Sequence, residues 1–268
     1  ILLAFYLEKL FQFFGTISRG ISFDRVNDSL ISNNTLTSTF ASTTYAIYLI
    51  DSDSARIKNN TIERNATGYP GSYGVYLDVS SGSYGNNNIT NNNLTIYSAS
   101  GEVFGVYFYS KGTLNSNTIQ DNTFDIDSSS KAFGVDWYLH SDGTSMDFNT
   151  ISDNTFDIDA SSTAYGLYSD NSGTLNSNTI SNNTFDIDAG GGYAYGVSLK
   201  HYGTSMDFNT FNNNTINATS SCSDPDFASY GIYLINADST NTSSNTINAT
   251  APSAMAPLWE PFNPFDRS

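Results

Sequence analysis

Pairs of aspartates recur in three successive stretches of the chain, and their spacing suggests chemistry. Each pair fills the polar positions of an alternating Phe-Asp-Ile-Asp segment, so both carboxylates lie on the face opposite Phe and Ile. Strands stacked about 5 Å apart would bring like charges together. Three interpretations follow: a solvated acidic face, a calcium site of oxygen ligands, or the carboxylate pair of a hydrolase. The aspartates are Asp125, Asp127, Asp157, Asp159, Asp186 and Asp188.

A second candidate surface lies in five-residue segments of the form Tyr-Gly-Val-Tyr-Leu, which we call tags. We expect the first, third and fifth tag residues to face the core, leaving outward a lane of glycines beside a row of tyrosines. Such a groove can stack against sugar rings or receive another protein surface; alternatively, glycine bends the strand and tyrosine tolerates a half-exposed position. The row contains Tyr48, Tyr76, Tyr107, Tyr168 and Tyr233, with interruptions at Asp136 and Ser198.

The tag occurs seven times and indicates the architecture that positions both surfaces. Tags begin at residues 45, 73, 104, 133, 165, 195 and 230, and a period near thirty residues is typical of a solenoid. Each repeat adds an Asn-Thr-Ile strand and an Asn-Thr-Phe strand, separated by turns of Asn, Asp, Ser and Gly. We therefore predict an all-β parallel β-helix of about seven coils, roughly 35 Å long at about 4.8 Å per coil.

Recurring asparagines are predicted to form a corner ladder rather than a ligand site. Their amides would bond between coils where the backbone at a corner otherwise lacks partners. The asparagines are Asn117, Asn149, Asn178 and Asn209.

Phrases such as Asn-Thr-Ile-Ser-Asn-Asn-Thr-Phe at residues 178–185, followed by Tyr-Gly-Val at 195–197, resemble the right-handed β-helix repeats of the pectin-lyase-like superfamily, especially the NosD type. The resemblance covers roughly residues 27 to 250. It implies a right-handed coil and a secreted or cell-surface protein, and many superfamily members cleave polysaccharides.

The sequence shows no convincing catalytic constellation, so we predict no catalytic residues and no enzyme activity. Arg56-Ile57-Lys58 matches a short polygalacturonase motif, but that family's Asn-Thr-Asp and Gly-His-Gly partners are missing from the sequence. His140 and His201 occupy corresponding places after alternate tags, which duplication explains better than catalysis.

Charge and composition limit the partners. The chain has 268 residues and a formal net charge of -16, which would repel nucleic acid and anionic membranes. Neutral glycans, cations or other proteins, including further copies of this chain, are the remaining partners. Cys222 is the single cysteine, so no internal disulfide is possible, and calcium is the sole cofactor considered.

The two ends of the chain differ from the repeats. We predict an apolar N-terminal cap (1–26), the β-helix (27–250) and a C-terminal tail rich in proline and aromatic residues (251–268), docked on its own or a neighbouring subunit. The cap is too short for a comfortable membrane span. Two dissimilar apolar ends suit head-to-tail assembly into a filament. The residues predicted to mediate assembly are Leu2, Phe5, Leu10, Phe13, Trp259, Phe262 and Phe265.

Eleven Asn-X-Ser/Thr sequons add weak support for an extracellular location, because a repeat containing Asn-Asn-Thr generates them automatically. Together these features predict an extracellular structural or adhesive β-solenoid that forms a filament or surface layer. The alternative is a β-helix that binds or cleaves a polysaccharide. The sequon asparagines are Asn27, Asn33, Asn59, Asn65, Asn88, Asn93, Asn182, Asn213, Asn217, Asn241 and Asn248.

Overall fold

The computed structural model describes residues 10–13, 18–40, 43–67, 71–140, 144–203, 205–224 and 226–252. The regular elements in these ranges are all β-strands. In the first half they are β1 (Leu10–Phe13), β2 (Ser18–Asp24), β3 (Leu30–Ser32), β4 (Thr35–Phe40), β5 (Thr44–Ile50), β6 (Arg56–Lys58), β7 (Thr61–Ala66), β8 (Ser72–Val79), β9 (Ser83–Gly85), β10 (Asn88–Thr90), β11 (Asn93–Ser98), β12 (Val103–Ser110), β13 (Thr113–Asn115) and β14 (Thr118–Gln120). In the second half they are β15 (Thr123–Ser128), β16 (Ala132–Leu139), β17 (Thr150–Ser152), β18 (Thr155–Ala160), β19 (Ala164–Asn171), β20 (Thr179–Ser181), β21 (Thr184–Ala189), β22 (Ala194–His201), β23 (Thr210–Asn212), β24 (Thr215–Ser220), β25 (Ser229–Ile235), β26 (Asn241–Ser243) and β27 (Thr246–Thr250).

Most strands form three long sheets in which each strand pairs in parallel with its equivalent one coil away, and β9 and β13 form a separate two-stranded parallel sheet. The tag sheet has the order β2-β5-β8-β12-β16-β19-β22-β25. The short sheet contains β3, β6, β10, β14, β17, β20, β23 and β26, and the acidic sheet contains β1, β4, β7, β11, β15, β18, β21, β24 and β27. This arrangement confirms the all-β parallel β-solenoid of about seven coils. An additional tag strand, β2, was missed because its sequence, Ser-Arg-Gly-Ile-Ser-Phe-Asp, lacks the aromatic signature.

The corner between the short and acidic sheets explains the Asn-Asn pairs of the repeat. The first residue of the pair adopts a left-handed backbone, as at Asn91 (φ 54°) and Asn182 (φ 57°), a conformation that asparagine tolerates. The second, such as Asn92 or Asn183, is buried and bonds the next coil. Two adjacent asparagines therefore supply the turn and the ladder.

A second corner contains the predicted ladder of Asn117, Asn149, Asn178 and Asn209, which is confirmed. Asn117 Nδ2 donates to Asn149 Oδ1 at 2.9 Å, and the pattern continues along the coils. The corner also divides the predicted Asn-Thr-Ile strand, since a left-handed residue precedes each ladder asparagine. The strand is consequently three residues long, as in β14 and β17.

The interior is a column of stacked apolar side chains. Phe124, Phe156 and Phe185 are fully buried in the acidic sheet, and their ring centroids lie 4.5 and 4.7 Å apart. Trp137 and Phe108 face them from the tag sheet with no exposed surface. Uniform coils thus bury like residues on like.

The ends of the predicted domains can be placed only in part. β1 and β2 lie within the segment predicted as a cap, and they pair with β4 and β5. Leu10 and Phe13 are the first and last residues of β1. Leu2, Phe5, Trp259, Phe262 and Phe265 lie outside the described residues. Among the described residues, no helix has the length and apolar character needed to span a membrane.

Candidate functional site

The strand register skips the second residue of the tag, which is glycine in six of the seven tags, so the tag does not alternate as the sequence predicts. An added Cβ at Gly105 would lie 2.6 Å from Phe124 Cδ1 and 2.5 Å from the Gly134 carbonyl oxygen, so this position faces the core. Two successive tag residues, Gly105 and Val106, therefore point inward. The predicted outward lane of glycines is wrong, as is the predicted inward first residue; the inward third and fifth residues are confirmed, as at Val75 and Leu77.

The first tag residues form a column of stacked rings on the outer face, which we call the first column. Neighbouring ring centroids lie 4.7 to 5.0 Å apart, with interplanar angles of at most 14°. Because each ring covers the face of the next, the column presents ring edges to its surroundings. Its members are Tyr45, Tyr73, Phe104, Phe133, Tyr165, Tyr195 and Tyr230.

The predicted row of tyrosines lies beside the first column, and we call it the second column. Its rings pack edge-on or tilted against the first column, as in the 5.1 Å contact between Phe104 and Tyr107. The structure brings Tyr48, Tyr76 and Tyr107 together at 5.0 to 5.1 Å, and it places Tyr168 and Tyr233 against Tyr165 and Tyr230. The flat platform for sugar stacking expected from the sequence is replaced by a ribbed surface of ring edges and hydroxyls.

Burial keeps these phenols protonated. Desolvation is the main cause that raises the pKa of Tyr165 to about 12, and it raises the pKa of Tyr107 and Tyr168 as well. Neutral phenols can donate hydrogen bonds: Tyr48 Oη donates to Asp78 Oδ2 at 2.8 Å, and Tyr168 Oη donates to Asp170 Oδ2 at 3.1 Å. The outer edge of the second column is therefore rimmed with phenol–carboxylate pairs.

Asp136 is the unusual residue of this face. It occupies the second-column position between Tyr107 and Tyr168, where the adjacent coils have tyrosine. Asp136 is only 5% exposed, and no described residue bonds its Oδ1. Desolvation, followed by the charges of Glu102 and Asp170, raises the pKa of Asp136 well above its ordinary value. Sequence reasoning recorded only an interruption here, although a lone acid in a tyrosine column was a usable signal.

The six aspartates lie where alternation predicts, in register on the outer face of the acidic sheet. Asp125, Asp157 and Asp186 form one exposed column, and Asp127, Asp159 and Asp188 form another. Desolvation and then the neighbouring aspartates raise the pKa of Asp157 and Asp159. No group of three or more potential metal ligands occurs within the described ranges, so calcium binding stays a prediction.

The two histidines are not equivalent, contrary to the sequence interpretation. His201 is the last residue of β22 and is buried, and this burial lowers the pKa of its imidazole. His140 follows β16 and packs its ring edgewise on Tyr109, 5.9 Å between centroids. Relative to the tag start, they lie six and seven residues on, so strand alternation sends them to opposite faces.

Another unpredicted residue is Arg64, which alternation places in the core. It lies in register with Ser38 and Ile96. Among the described residues, its Nε has no hydrogen-bond acceptor. Burial lowers the pKa of Arg64 to about 9. The motif Arg56-Ile57-Lys58 forms β6, with Ile57 inward and Arg56 exposed, and no partner motif joins it in the described coils.

The sequon asparagines all lie at accessible positions. Ten are exposed, and Asn217 is partly buried. Asn33, Asn59, Asn182 and Asn213 occupy the left-handed corner positions, which explains their recurrence without any role for glycans.

Comparison with models of known protein families gives a match over most of the chain. The family model described as the right handed beta helix region matches residues 19–248. Neither a curated protein nor a solved structure matches the chain.

Proposed function

Because this chain belongs to the right-handed β-helix family, we propose that it is an extracellular structural or adhesive solenoid that assembles head to tail. We also propose a non-catalytic role, since its outward polar positions mostly repeat like residues instead of bringing unlike groups together. The narrower resemblance to NosD-type repeats stays a prediction.

The observation that carries this proposal is the exposed apolar surface of the last coil that the structure describes. Ile247 of β27 is 48% exposed, whereas its equivalent one coil earlier, Ile216, is fully buried. Ile232 and Leu234 of β25 are likewise partly exposed, while their equivalents in β22 are buried. β25, β26 and β27 are the last strands of their sheets in the described part of the chain, so their outer edges offer backbone groups to a further strand.

We assign this end to the apolar N-terminal segment of a second copy. Residues 1–14 are almost wholly apolar, which matches the exposed Ile247, Ile232 and Leu234 in chemistry. A contact between unlike ends is heterologous, and repetition of that contact produces a filament. The net charge of -16 opposes side-by-side packing of rods, which favours growth at the ends.

The extracellular location rests on composition and accessibility. Eleven sequon asparagines are accessible, and the single cysteine, Cys222, is partly buried and unpaired. Mass spectrometry of the native protein before and after glycosidase treatment tests this part of the proposal.

Negative-stain electron microscopy tests the assembly. We expect filaments from the wild type, and isolated rods after Ile247→Asp or after deletion of residues 251–268. The matched control is Phe208→Asp, which places the same charge at a 66% exposed phenylalanine on the side of the rod. Filaments that persist in Ile247→Asp, or isolated rods in the wild type, would overturn end-to-end assembly.

The second column supports one alternative, a polysaccharide-binding or polysaccharide-cleaving protein. Its tyrosines recur in the successive coils of Tyr48, Tyr76 and Tyr107, about 4.8 Å apart, and their hydroxyls can bond sugar hydroxyls. The ring faces of the first column are covered by neighbouring rings, and the rings of the second column are tilted against one another, so recognition would depend on hydrogen bonds rather than on stacking. A glycan array and a cleavage assay with Tyr76→Phe as the comparison variant test this alternative.

A further inference from the structure

The second column lacks a tyrosine at three coils of the tag sheet. In register, the positions are Ser22 in β2, Asp136 in β16 and Ser198 in β22. At each of these positions the neighbouring tyrosine of the second column has no tyrosine ring next to it in the adjacent coil. The three interruptions can therefore be compared for what replaces the missing ring.

At two of the interruptions, a cation of the chain lies over the exposed rings. The Arg19 guanidinium carbon is 4.1 Å from the ring centroid of Tyr48, next to Ser22. Lys200 Nζ is 5.9 Å from the centroids of both Tyr168 and Tyr233, which flank Ser198. A cation over a tyrosine face is attracted by the ring quadrupole, so these residues stabilise the gaps.

The third interruption has a carboxyl group and no such cation. In the described coils, no lysine or arginine lies over Tyr107, and the cation over Tyr168 is the one at the Ser198 gap. Asp136 is 5% exposed, and none of the described residues bonds its Oδ1. A buried acceptor without a donor is costly and is normally satisfied, here between two tyrosines that can accept a cation.

We propose that the Asp136 gap binds the primary ammonium group of a small molecule. The ammonium donates to Asp136 Oδ1 and lies between the rings of Tyr107 and Tyr168, as Lys200 does between Tyr168 and Tyr233. The site is independent of the assembly ends.

The surrounding charges favour a cation over an anion. Glu102 and Asp170 act on the Asp136 carboxyl, and among the described cations Lys131 lies nearby, 3.3 Å from Glu102 Oε1. Five titratable groups interact electrostatically with Asp136: Glu102, Asp170, Tyr107, Tyr165 and Tyr168. Burial raises the pKa of Asp136, and a bound ammonium would oppose that shift by pairing with the carboxylate.

Ligand entry requires only side-chain motion. Tyr107 and Tyr168 are partly exposed and Tyr138, beside them, is exposed. Exposed rings change rotamer within picoseconds to nanoseconds, so the gap can open without backbone rearrangement.

Isothermal titration calorimetry with n-butylammonium and with glucosamine near pH 7.5 tests the site. We expect one equivalent to bind the wild type. Asp136→Asn, which keeps the shape, and Asp136→Tyr, which restores the column, should each weaken binding at least about tenfold. Asp127→Asn removes the same charge from the opposite acidic sheet and should leave binding unchanged.

Neutral n-butanol distinguishes the ammonium contact from apolar binding. No saturable binding of either ammonium probe, equal binding of n-butanol, or equal affinity in Asp136→Asn and wild type would each overturn the proposal. Binding of n-butylammonium without glucosamine identifies a linear amine as the ligand class; binding of both identifies a gap that accepts amino sugars.

Discussion

Asn122 donates two hydrogen bonds to Oδ1 of Asn154, one from its backbone N–H at 2.9 Å and one from Nδ2 at 3.0 Å. The same pair of hydrogen bonds links each ladder asparagine to its equivalent in the next coil. The ladder comprises Asn34, Asn60, Asn92, Asn122, Asn154, Asn183, Asn214 and Asn245. It gives the corner a continuous set of partners that water cannot supply in the interior.

Replacing a central ladder residue should destabilise the coil strongly. Asn154→Ala leaves the buried Asn122 backbone N–H without its acceptor and removes one of the three acceptors of Asn122 Nδ2. It also removes the bonds that Asn154 Nδ2 donates to the carbonyls of Ile119 and Ser152. With about 1–3 kcal/mol for each buried unsatisfied group, we expect a loss of roughly 3 kcal/mol or more in urea unfolding. Asn245→Ala, at the partly exposed end of the ladder, is the control and should cost less; equal losses would contradict the burial argument.

Gly105 should not tolerate a methyl group, because it packs against Phe124. The first tag carries Ala46 at this position, in a coil where Ile62 stands in place of phenylalanine. In Gly105→Ala the added Cβ meets the Gly134 carbonyl oxygen at 2.5 Å, a backbone atom that cannot rotate away. We expect a loss of about 1–3 kcal/mol in thermal or urea unfolding, as for other overpacked cores. In Gly190→Ala the nearest atom is the Ser161 carbonyl oxygen at 3.2 Å, so this control should remain within about 1 kcal/mol of wild type. A neutral Gly105→Ala would show that the tag can shift.

Removing the buried charge of Arg64 should stabilise the protein. Arg64 is in register with Ile96 and has no acceptor at Nε, so Arg64→Met exchanges a desolvated cation for an apolar chain of similar length. We expect a gain of about 1–4 kcal/mol at pH 7. Arg56→Met, at an exposed position, should change stability by less than about 0.5 kcal/mol.

The pH dependence of that gain has a defined sign. In the unfolded state the Arg64 guanidinium keeps its ordinary, higher pKa. In the folded state, burial lowers the pKa of Arg64 to about 9. The penalty is therefore complete below pH 9 and shrinks as the pH rises. Urea unfolding should show a smaller gain for Arg64→Met at pH 10 than at pH 7; a loss of stability at pH 7 would mean that the guanidinium has a partner.

The acidic columns should lower stability at neutral pH. Desolvation and then like charges raise the folded pKa of Asp157 and Asp159 above 3.8, so the folded state binds their protons more tightly than the unfolded state. The cost appears as the pH rises through 3.8 and is complete above the folded pKa. Asp157→Asn should raise the melting temperature at pH 7 and leave it unchanged at pH 3.

Glu63→Gln is the matched control for this charge. Glu63 lies in the same outward column, but its neighbours in register are Thr37 and Thr95. Its replacement should change the melting temperature little at either pH. A larger effect for Glu63→Gln than for Asp157→Asn would contradict repulsion within the column.

Calcium should relieve the same repulsion if it bridges the columns. We expect millimolar calcium to raise the wild-type melting temperature more than equimolar magnesium, because calcium accepts a flexible set of oxygen ligands. The double variant Asp157→Asn, Asp159→Asn should lose that response. An equal response to both ions would indicate screening rather than a site.

The sequence by itself determined the architecture of the repeat. Alternation in the Phe-Asp-Ile-Asp segments predicted Phe156 and Ile158 inward and Asp157 outward, as observed. Clusters of Asn, Asp, Ser and Gly predicted the turns, and the recurring Asn117, Asn149, Asn178 and Asn209 predicted one corner ladder, because turn conformation and amide bonding depend on local chemistry that each coil repeats. The ladder formed by the Asn-Asn pairs was not predicted. In a single coil the inward and outward assignment of residues is ambiguous, but the same pattern recurs in about seven coils and therefore supports one assignment.

Only the tertiary structure decided which way the tag faces and what lies buried within it. Gly105 packs against Phe124 from a strand twenty residues later in the chain, and this close approach breaks the two-residue alternation. The burial of Asp136 follows from Tyr107 and Tyr168 in adjacent coils, and that of Arg64 from Ile96. These environments are made by residues distant in sequence, so a local pattern could record the exceptions but could not show what surrounds them.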